Sequence, residues 1–292
     1  MHLETLKVFC DVVETKSFSV AASQNYVTQS AVSQQIRMLE EKYGKRLLER
    51  TRGNVQLTPA GDILYQVSKE IVGRYLELED RLQAVTKVVA GTVRVATVHT
   101  IGLYELSSQL KRFLKAFPQV QLQLAYSRSS KIYEDALKGS IDLGIVAYPS
   151  RRPGITVVPF REDRLVLVVP PTHALAKHRQ VSIQKLVGEP LVGFERDIPT
   201  RKETDRVLRR HGIDARYVME LDNAEIMKRV VEIGLGLAIL PEHAVRPEVK
   251  GGTLAAVQLS DEVFLRQLGI IHRTGKHFSP AATKFIECLR SE

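Results

Sequence analysis

The first forty residues place their hydrophobic side chains at helical spacing. A helix is predicted over residues 3–14, where apolar side chains recur every three or four positions, at Leu3, Leu6, Cys10 and Val13. The stretch 17–37 then predicts a helix, a short turn and a second helix, with Ser19 capping the first and Thr28 the second. At about 3.6 residues per turn, the second helix has one packing face, which consists of Ala31, Val32, Ile36 and Leu39.

The opposite face of that second helix is polar and almost free of carboxylates. Side chains of these types reach base edges and phosphates in a major groove. An ordinary amphipathic helix is the alternative, but its outer face would normally carry Lys and Glu. The pattern therefore predicts a helix-turn-helix that binds DNA through Thr28, Gln29, Ser30, Ser33, Gln34 and Arg37.

A short hairpin is predicted after these helices, over residues 47–57. Gly53 and Asn54 form a turn signal between two β-prone runs, as in the wing of a winged helix-turn-helix. Arg50 and Arg52 stand at the base and the tip of this hairpin, where contact with a phosphate or the minor groove is expected. The alternative for both arginines is a solvated surface without a specific partner.

A long helix is predicted from Pro59 to about residue 89, because Thr58 is a cap and proline favours the first helical position. Its apolar side chains recur every seven residues, at Leu64, Ile71, Leu78 and Val85, flanked by Tyr75, Leu82 and Val89. An isolated helix of this kind is marginal, so we expect it to pair with its copy in a second subunit. Two copies would also match two half-sites on DNA.

Strand and helix patterns alternate after Gly91, which predicts β-α-β units and a parallel sheet. Strands are predicted at residues 93–97, 120–126, 141–146, 166–169, 191–194, 237–240 and 268–272. Helices are predicted at residues 103–117, 132–137, 200–211, 224–233 and 280–289. The last strand and helix are expected to return from a second lobe to the first.

A ligand site in such a fold lies beyond the carboxyl ends of the strands, between the lobes. Hydroxyls near predicted helix starts converge there, and with free N–H groups they suit an anion. The alternative is that each hydroxyl only caps its own helix. The predicted site comprises His99, Thr100, Ile101, Ser127, Ser129, Ser130, Ala147, Phe194, Ile198, Pro199, Thr200 and Asn223, with Arg201 and Lys202 as further candidates for holding an anion.

Composition and charge change this interpretation only locally. The chain of 292 residues carries a net charge of +9, but residues 1–90 hold 12 basic and 11 acidic side chains, so overall charge is poor evidence for DNA binding. Residues 37–52 hold six basic against three acidic side chains, which suits phosphate contacts. No export leader and no apolar run of membrane-spanning length is recognisable, so a cytoplasmic protein is expected.

Motifs for catalysis or metal binding are not recognisable in the sequence. Cys10 and Cys288 lack the spacing of a disulfide framework or a metal site. His99 and Ser129 lack an orienting acid at a recognisable spacing, and nucleophile-elbow, Walker and H-E-x-x-H patterns do not occur. An enzyme on the same fold stays open as an alternative. A solute-binding protein would carry an export signal and would lack a DNA-binding motif, whereas this sequence shows the reverse. Neither a metal nor a cofactor is expected.

Two independent sets of motifs resemble the LysR-type transcriptional regulators. The residues 18–22, 29–33 and Ile36 resemble the family's winged helix-turn-helix, and the residues 117–118, 139–146 and 231–241 resemble landmarks of its effector-binding domain. The resemblance implies an α/β chain with three parts: a DNA-binding domain over residues 1–58, a linker and dimerisation helix over 59–90, and an effector-binding domain over 91–292. That last domain would resemble periplasmic solute-binding proteins, with lobe I at 91–161 and 267–292 and lobe II at 162–266.

The same resemblance implies the partners of such a regulator. They are double-stranded operator or promoter DNA, a small metabolite that the hydroxyl-rich site predicts to be anionic, RNA polymerase, and further copies of the chain in a homodimer or homotetramer. Effector binding would alter how two DNA-binding dimers are arranged. The identity of the effector, the operator sequence and the choice between activation and repression stay open.

Overall fold

The structure is a computed structural model that describes residues 2–51, 54–84 and 89–290. The chain divides near residue 88 into two compact units, of which the first contains the predicted helix-turn-helix and the long helix. No described helix is both long and apolar enough to cross a membrane.

The N-terminal unit begins with three helices, α1 (Leu3–Thr15), α2 (Phe18–Gln24) and α3 (Gln29–Tyr43). The predicted cap of α3 is confirmed, because the Thr28 hydroxyl accepts a hydrogen bond from the amide of Ala31 at 3.2 Å. The predicted cap of α2 is wrong: Ser19 lies inside the helix, and the Ser17 hydroxyl accepts from the Val20 amide at 3.3 Å. The core of the three helices contains the buried side chains of Leu6, Phe9, Val12, Ala21, Val32, Ile36 and Leu39.

The hairpin that follows consists of two antiparallel strands, β1 (Leu48–Thr51) and β2 (Asn54–Leu57). The register pairs Thr51 with Asn54, so Asn54 is the first residue of β2 and not a turn residue as predicted. The next helix, α4, starts at Pro59 and is described to Ala84, and the remainder of its predicted length includes residues outside the described ones. Its first turn requires Gly61, because a β-carbon there would lie 1.9 Å from the carbonyl oxygen of Leu47.

The second unit contains the strands of a mixed main sheet and of a separate two-stranded sheet. They are β3 (Gly91–Thr97), β4 (Val120–Tyr126), β5 (Leu143–Ala147), β6 (Ile155–Val169), β7 (Gln180–Val181), β8 (Pro190–Phe194), β9 (Arg216–Leu221), β10 (Ala238–Pro241), β11 (Ala255–Leu259) and β12 (Leu265–Arg273). The order β4-β3-β5-β12-β6-β11-β7 forms the main sheet, with β10 also paired to β6, while β8 pairs with β9. The prediction of a parallel sheet holds for β4-β3-β5, β11-β7 and β8-β9. The pairs β5-β12, β12-β6, β6-β11 and β6-β10 are antiparallel.

Helices connect these strands and cover their faces. They are α5 (Ser107–Ala116), α6 (Ser129–Lys138), α7 (Pro199–Arg210), α8 (Ala224–Glu232), α9 (Glu242–Gly251) and α10 (Pro280–Arg290), with a π-helical turn at Ile101–Glu105 and 3-10 turns at Ala174–Lys177 and Ile183–Leu186. The sequence pattern missed β7, β9, α9 and β11, and it predicted only the apolar last part of β6. The predicted lobe boundaries fall inside β6 and β12, which are continuous strands, and they remain predictions.

Candidate functional site

The polar face of α3 is formed by the six residues that the sequence assigned to DNA contact, and we call it the α3 face: Thr28, Gln29, Ser30, Ser33, Gln34 and Arg37. Five of the six are exposed and Ser33 is half-buried, whereas Val32 and Ile36 point into the core. Two hydrogen bonds join side chains of this face: Gln29 Nε2 donates to Ser33 Oγ at 3.3 Å, and the hydroxyls of Thr28 and Ser30 are 2.9 Å apart. One helix therefore presents a continuous polar surface above a packed core.

Arg37 ends this face with an ion pair. Its Nε donates to Glu41 Oε1 at 2.8 Å, one helical turn later, and the side chains are 79% and 62% exposed. Such an exposed pair contributes roughly 0.3–0.5 kcal/mol at most, so a phosphate could replace the carboxylate at little cost. The low content of carboxylates that the sequence indicated therefore applies to the first two turns of α3, and not to its continuation.

The two predicted arginines of the hairpin are less fully described. Arg50 lies in β1, with its backbone opposite Val55, but its side chain is outside the described part of the structure. Arg52 falls outside the described residues altogether.

A cavity of about 490 Å³ lies in the second unit. Its wall includes ten of the twelve predicted effector-binding residues, namely His99, Thr100, Ser127, Ser129, Ser130, Ala147, Phe194, Ile198, Pro199 and Thr200. The wall also contains Lys202, which the sequence named as a further candidate for holding an anion. It is completed by residues that the sequence did not assign to the site, namely Val98, Tyr126, Arg128, Arg152, Asp197, Asp222, Ala224 and Arg266. Strand ends and helix starts that are far apart in the chain thus meet around one space.

Two of the predicted residues lie elsewhere. Ile101 is fully buried in the apolar core between the sheet and its helices. Asn223 caps α8, since its Oδ1 accepts a hydrogen bond from the Glu225 amide at 2.8 Å. Both residues stand next to residues that do line the cavity, Thr100 and Ala224, which is why local position in the sequence could not separate them.

Thr100 lines the cavity as predicted and does not cap a helix, which was the alternative role for it. Its backbone is helical and its side chain makes no capping hydrogen bond. Instead, its Oγ1 accepts a hydrogen bond from Arg266 Nη1 at 3.0 Å. Because that hydroxyl oxygen is an acceptor in this bond, its own hydrogen remains able to donate to a ligand.

The start of α7 lies in the wall of the cavity. Pro199 is its first residue, and the N-cap residue Ile198 makes no side-chain capping bond. The first amides of a helix have no partner inside it, and the helix dipole places partial positive charge there. Thr200 is buried on this turn and also lines the cavity, so that a hydroxyl and the helix start lie at the same point of the wall.

Arg201, a candidate for holding an anion, is buried and bonded to other groups of the protein. It is 4% exposed, its Nε donates to Asp205 at 2.9 Å, and its guanidinium lies 3.4 Å from the ring centre of Tyr217. Its remaining nitrogens donate to the carbonyl oxygen of Phe194 at 2.6 Å and to Glu220 at 3.2 Å. The prediction for Arg201 is therefore wrong, whereas Lys202 does line the cavity.

The charged groups in the wall differ in their availability. Arg128 is paired with Glu195 at 2.5 Å, Asp197 at 3.1 Å and Asp222 at 3.5 Å. Within the described part of the chain, no ion pair joins a carboxylate to Lys202 or to Arg152, although Arg152 lies 3.8 Å from the ring centre of Tyr133. Lys202 and Arg152 are thus cations with capacity for a ligand.

His99 stacks on Tyr126, with 5.1 Å between the ring centres. No cluster of three or more metal-ligating side chains occurs among the described residues. Burial raises the pKa of the Cys10 thiol to about 12, which keeps it protonated and unreactive near neutral pH.

Comparison with known proteins identifies the class that this architecture belongs to. Residues 3–62 match the family described as "Bacterial regulatory helix-turn-helix protein, lysR family", and residues 86–292 match the family described as "LysR substrate binding domain". The chain belongs to the LysR family. It is a DNA-binding transcription regulator with an effector-binding domain, not an enzyme, and the resemblance seen in the sequence is confirmed.

Particular relatives cover the whole chain. It is 30% identical over 294 residues to the RuBisCO operon transcriptional regulator of Allochromatium vinosum, covering 100% of this chain and 97% of the relative. It is 28% identical over 291 residues to the HTH-type transcriptional regulator CysL of Bacillus subtilis (strain 168), again covering 100% and 97%.

Solved structures share the fold. Full-length CbnR complexed with its target DNA matches with a TM-score of 0.74 at 24% identity, covering 99% of both chains. The regulatory domain of CcmR from Synechocystis PCC6803 in complex with 2-PG matches with a TM-score of 0.64 at 24% identity, covering 68% of this chain and 96% of that one. The predicted fold class, a winged helix-turn-helix with a linker helix and an α/β effector-binding domain, is therefore confirmed.

Proposed function

We propose that this regulator responds to a small anion held in the 490 Å³ cavity. The observation that carries the proposal is the convergence of donors on one space: the Thr200 hydroxyl and the uncapped start of α7 lie beside Lys202, a cation without a carboxylate partner in the described chain. Helix starts and unpaired ammonium groups both favour negative charge. Arg128 and Arg266 add little net positive charge to the wall, because carboxylates already neutralise them.

Binding experiments with a panel of compounds test this proposal. The regulatory domain of CcmR, which has the same fold, has a structure in complex with 2-PG. The panel therefore includes 2-PG beside inorganic phosphate, sulfate and short carboxylic acids. Titration calorimetry should detect binding of one or more anions and no binding of neutral or cationic metabolites of similar size. Tight binding of a neutral or cationic compound in place of every anion would contradict the proposal.

For DNA recognition we propose direct contact by the α3 face, with Gln29 and Ser33 at base edges and Arg37 at a phosphate. The supporting observation is that the polar side chains of this face project from a helix whose other side is fixed in a core by Val32, Ile36 and Leu39. A rigid helix with exposed amide and hydroxyl groups suits the major groove. We propose phosphate or minor-groove contacts for Arg50 and Arg52 on sequence grounds alone.

We further propose that the chain acts as a homodimer or homotetramer held together through α4. Large apolar side chains are exposed along this helix in the single chain, namely Ile63, Val67, Ile71, Tyr75 and Leu78. Leu64 differs from the predicted seam, because it packs against the core of the N-terminal unit. The side chains of Leu82 and Val85 lie outside the described part. The proposal also includes a cytoplasmic location and contact with RNA polymerase. It keeps the predicted boundaries of the three parts of the chain and of the two lobes.

A further inference from the structure

Arg266 is a fully buried cation in the wall of the cavity. It lies on β12 directly opposite Asp163 on β6, and both side chains are almost inaccessible, at 1% and 5% exposed. Its Nε donates to Asp163 Oδ1 at 2.8 Å and Oδ2 at 3.1 Å, and its Nη2 also donates to Oδ2. The pair is neutral as a whole and fixed by the register of two long strands.

This arrangement leaves donor groups that Asp163 does not use. A guanidinium carries five N–H bonds in one plane, and Asp163 and Thr100 account for those on Nε, one on Nη1 and one on Nη2. One N–H on each terminal nitrogen remains. Arg266 and Thr100 both line the cavity, and the Thr100 hydroxyl can donate as well because its oxygen accepts from Arg266.

We propose that Arg266 contacts the acidic group of the effector directly and, together with Thr100, determines the preference of the site for an oxyanion on an organic molecule. This inference rests on the proposed function. A guanidinium held by a carboxylate behind it keeps its orientation, and its planar fork matches the two oxygens of a carboxylate, phosphate or sulfate group. Arg266 is therefore a specificity-determining residue, and Asp163 is the positioning residue that orients it.

The size and lining of the cavity favour an organic acid over a bare inorganic ion. Its volume of about 490 Å³ lies in the range of sites for organic ligands, roughly 300–1,000 Å³. Apolar side chains share the wall with the donors, among them Val98, Ala147 and Phe194. They would bury the carbon skeleton of a ligand whose oxyanion reaches Arg266 and Thr100.

Opposite substitutions in the same ion pair test this assignment. Asp163→Asn keeps a hydrogen-bond acceptor for Arg266 but removes the compensating charge, so anion affinity should rise severalfold. Asp163→Asn combined with Arg266→Gln keeps a neutral hydrogen-bonded pair but deletes the fork, and affinity for the same anion should fall by about tenfold or more. If the ion pair were purely structural, both variants would instead bind the anion more weakly, since both remove the same salt bridge.

The measurement is titration calorimetry of the full-length protein with 2-PG, acetate, succinate, inorganic phosphate and inorganic sulfate. Thermal melts and operator binding confirm that each variant is folded, and Arg266→Lys, which keeps Asp163 paired but lacks the fork, replaces the double variant if that one does not fold. Organic acids should bind more tightly than phosphate and sulfate because of the apolar wall, and loss of Arg266 should weaken the binding of both classes of anion.

The outcomes separate this inference from the function on which it rests. One contrary outcome is that the wild-type protein binds an anion and the double variant or Arg266→Lys binds it equally well. Another is that Asp163→Asn reduces the affinity for that anion. In either case Arg266 is a structural residue and only this inference fails. If inorganic ions bind as tightly as every organic acid, the preference for an organic acid is wrong. If no anion binds to the wild-type protein while a neutral ligand does, the proposed function fails as well.

Discussion

The α3 face and the cavity are built in opposite ways. The α3 face comes from one helix, over residues 28–37, and its side chains project from a surface that needs only the core beneath it. The cavity collects side chains from strand ends and helix starts spread over residues 98–266. A convex surface can reach into a groove of a large polymer, whereas a concave site can surround a small molecule and remove it from water.

The difference also determines how each region uses its charges. On the α3 face Arg37 is largely exposed and its pairing with Glu41 is weak, so that the arginine can exchange partners. In the cavity wall Arg266 is buried against Asp163 and cannot leave it without a large penalty. Exposed charges can therefore supply adaptable phosphate contacts, and buried ones can supply fixed geometry for recognition.

The largest expected effect concerns assembly, on which binding to two half-sites depends. Leu78 is 50% exposed in the single chain, so Leu78→Glu should be harmless to folding but should place an unpaired carboxylate in the proposed dimer contact, at roughly 3 kcal/mol or more. Analytical ultracentrifugation should show smaller species. Gln66→Glu adds the same charge to another exposed position of α4 and serves as the control. A Leu78→Glu protein that keeps its oligomeric state would contradict the role of α4.

The second effect concerns the α3 face itself. Gln29→Ala should remove a base contact, weaken operator binding by about 1–3 kcal/mol and relax the sequence preference at one position. Competition binding against a set of single-base operator variants measures both quantities. The same substitution at Gln66, outside the α3 face, should change neither. Unchanged affinity and unchanged preference in Gln29→Ala would show that the face is misassigned.

The third effect concerns the cavity. Thr200→Val keeps the shape of the side chain and deletes a hydroxyl at the start of α7. It should therefore weaken the binding of the effector identified in the panel by about 1–2 kcal/mol. Thr204→Val is the matched control, because Thr204 is buried one turn later and donates to the Thr200 carbonyl oxygen at 2.9 Å without lining this cavity. Calorimetry should show a loss for Thr200→Val alone. Equal losses in both variants would indicate a general disturbance of α7.

The smallest effect is the phosphate contact of Arg37. Arg37→Ala should weaken binding similarly for all DNA sequences and reduce the salt slope of log K by about 1. Glu41→Gln removes the competing carboxylate at 2.8 Å and should leave binding unchanged or slightly tighter. Fluorescence anisotropy over a series of salt concentrations distinguishes these results. A loss confined to one operator sequence would instead make Arg37 a base-contacting residue.

Much of the N-terminal unit could be predicted from the sequence because its determinants are local. The Thr28 hydroxyl caps α3 by accepting from the Ala31 amide, only three residues later in the chain. Val32, Ile36 and Leu39 share one face of α3 by helical periodicity alone. The hairpin and the start of α4 follow from residues that are neighbours in the chain. The error at Ser19 arose from two hydroxyls only two positions apart, of which the observed backbone selects Ser17.

The sequence also determined which segments meet at the cavity, because strands of a parallel arrangement end at the same edge. Ten of the predicted residues line it for this reason. Sequence position could not decide which way a side chain points at such an edge, and so it could not exclude Ile101 or Asn223. It also could not decide whether a basic residue is exposed, as at Lys202, or buried in an ion-pair network, as at Arg201.

Only the tertiary structure decided the partnership of Arg266. Its carboxylate partner, Asp163, is 103 residues away in the chain, and Thr100 is 166 residues away. The signal in the sequence is an arginine between Leu265 and Gln267 in a partly apolar strand, and an arginine would ordinarily indicate solvent exposure. The antiparallel register of β6 and β12 sets Arg266 opposite Asp163, and burial then requires the two charges to pair, since an uncompensated buried charge costs several kcal/mol.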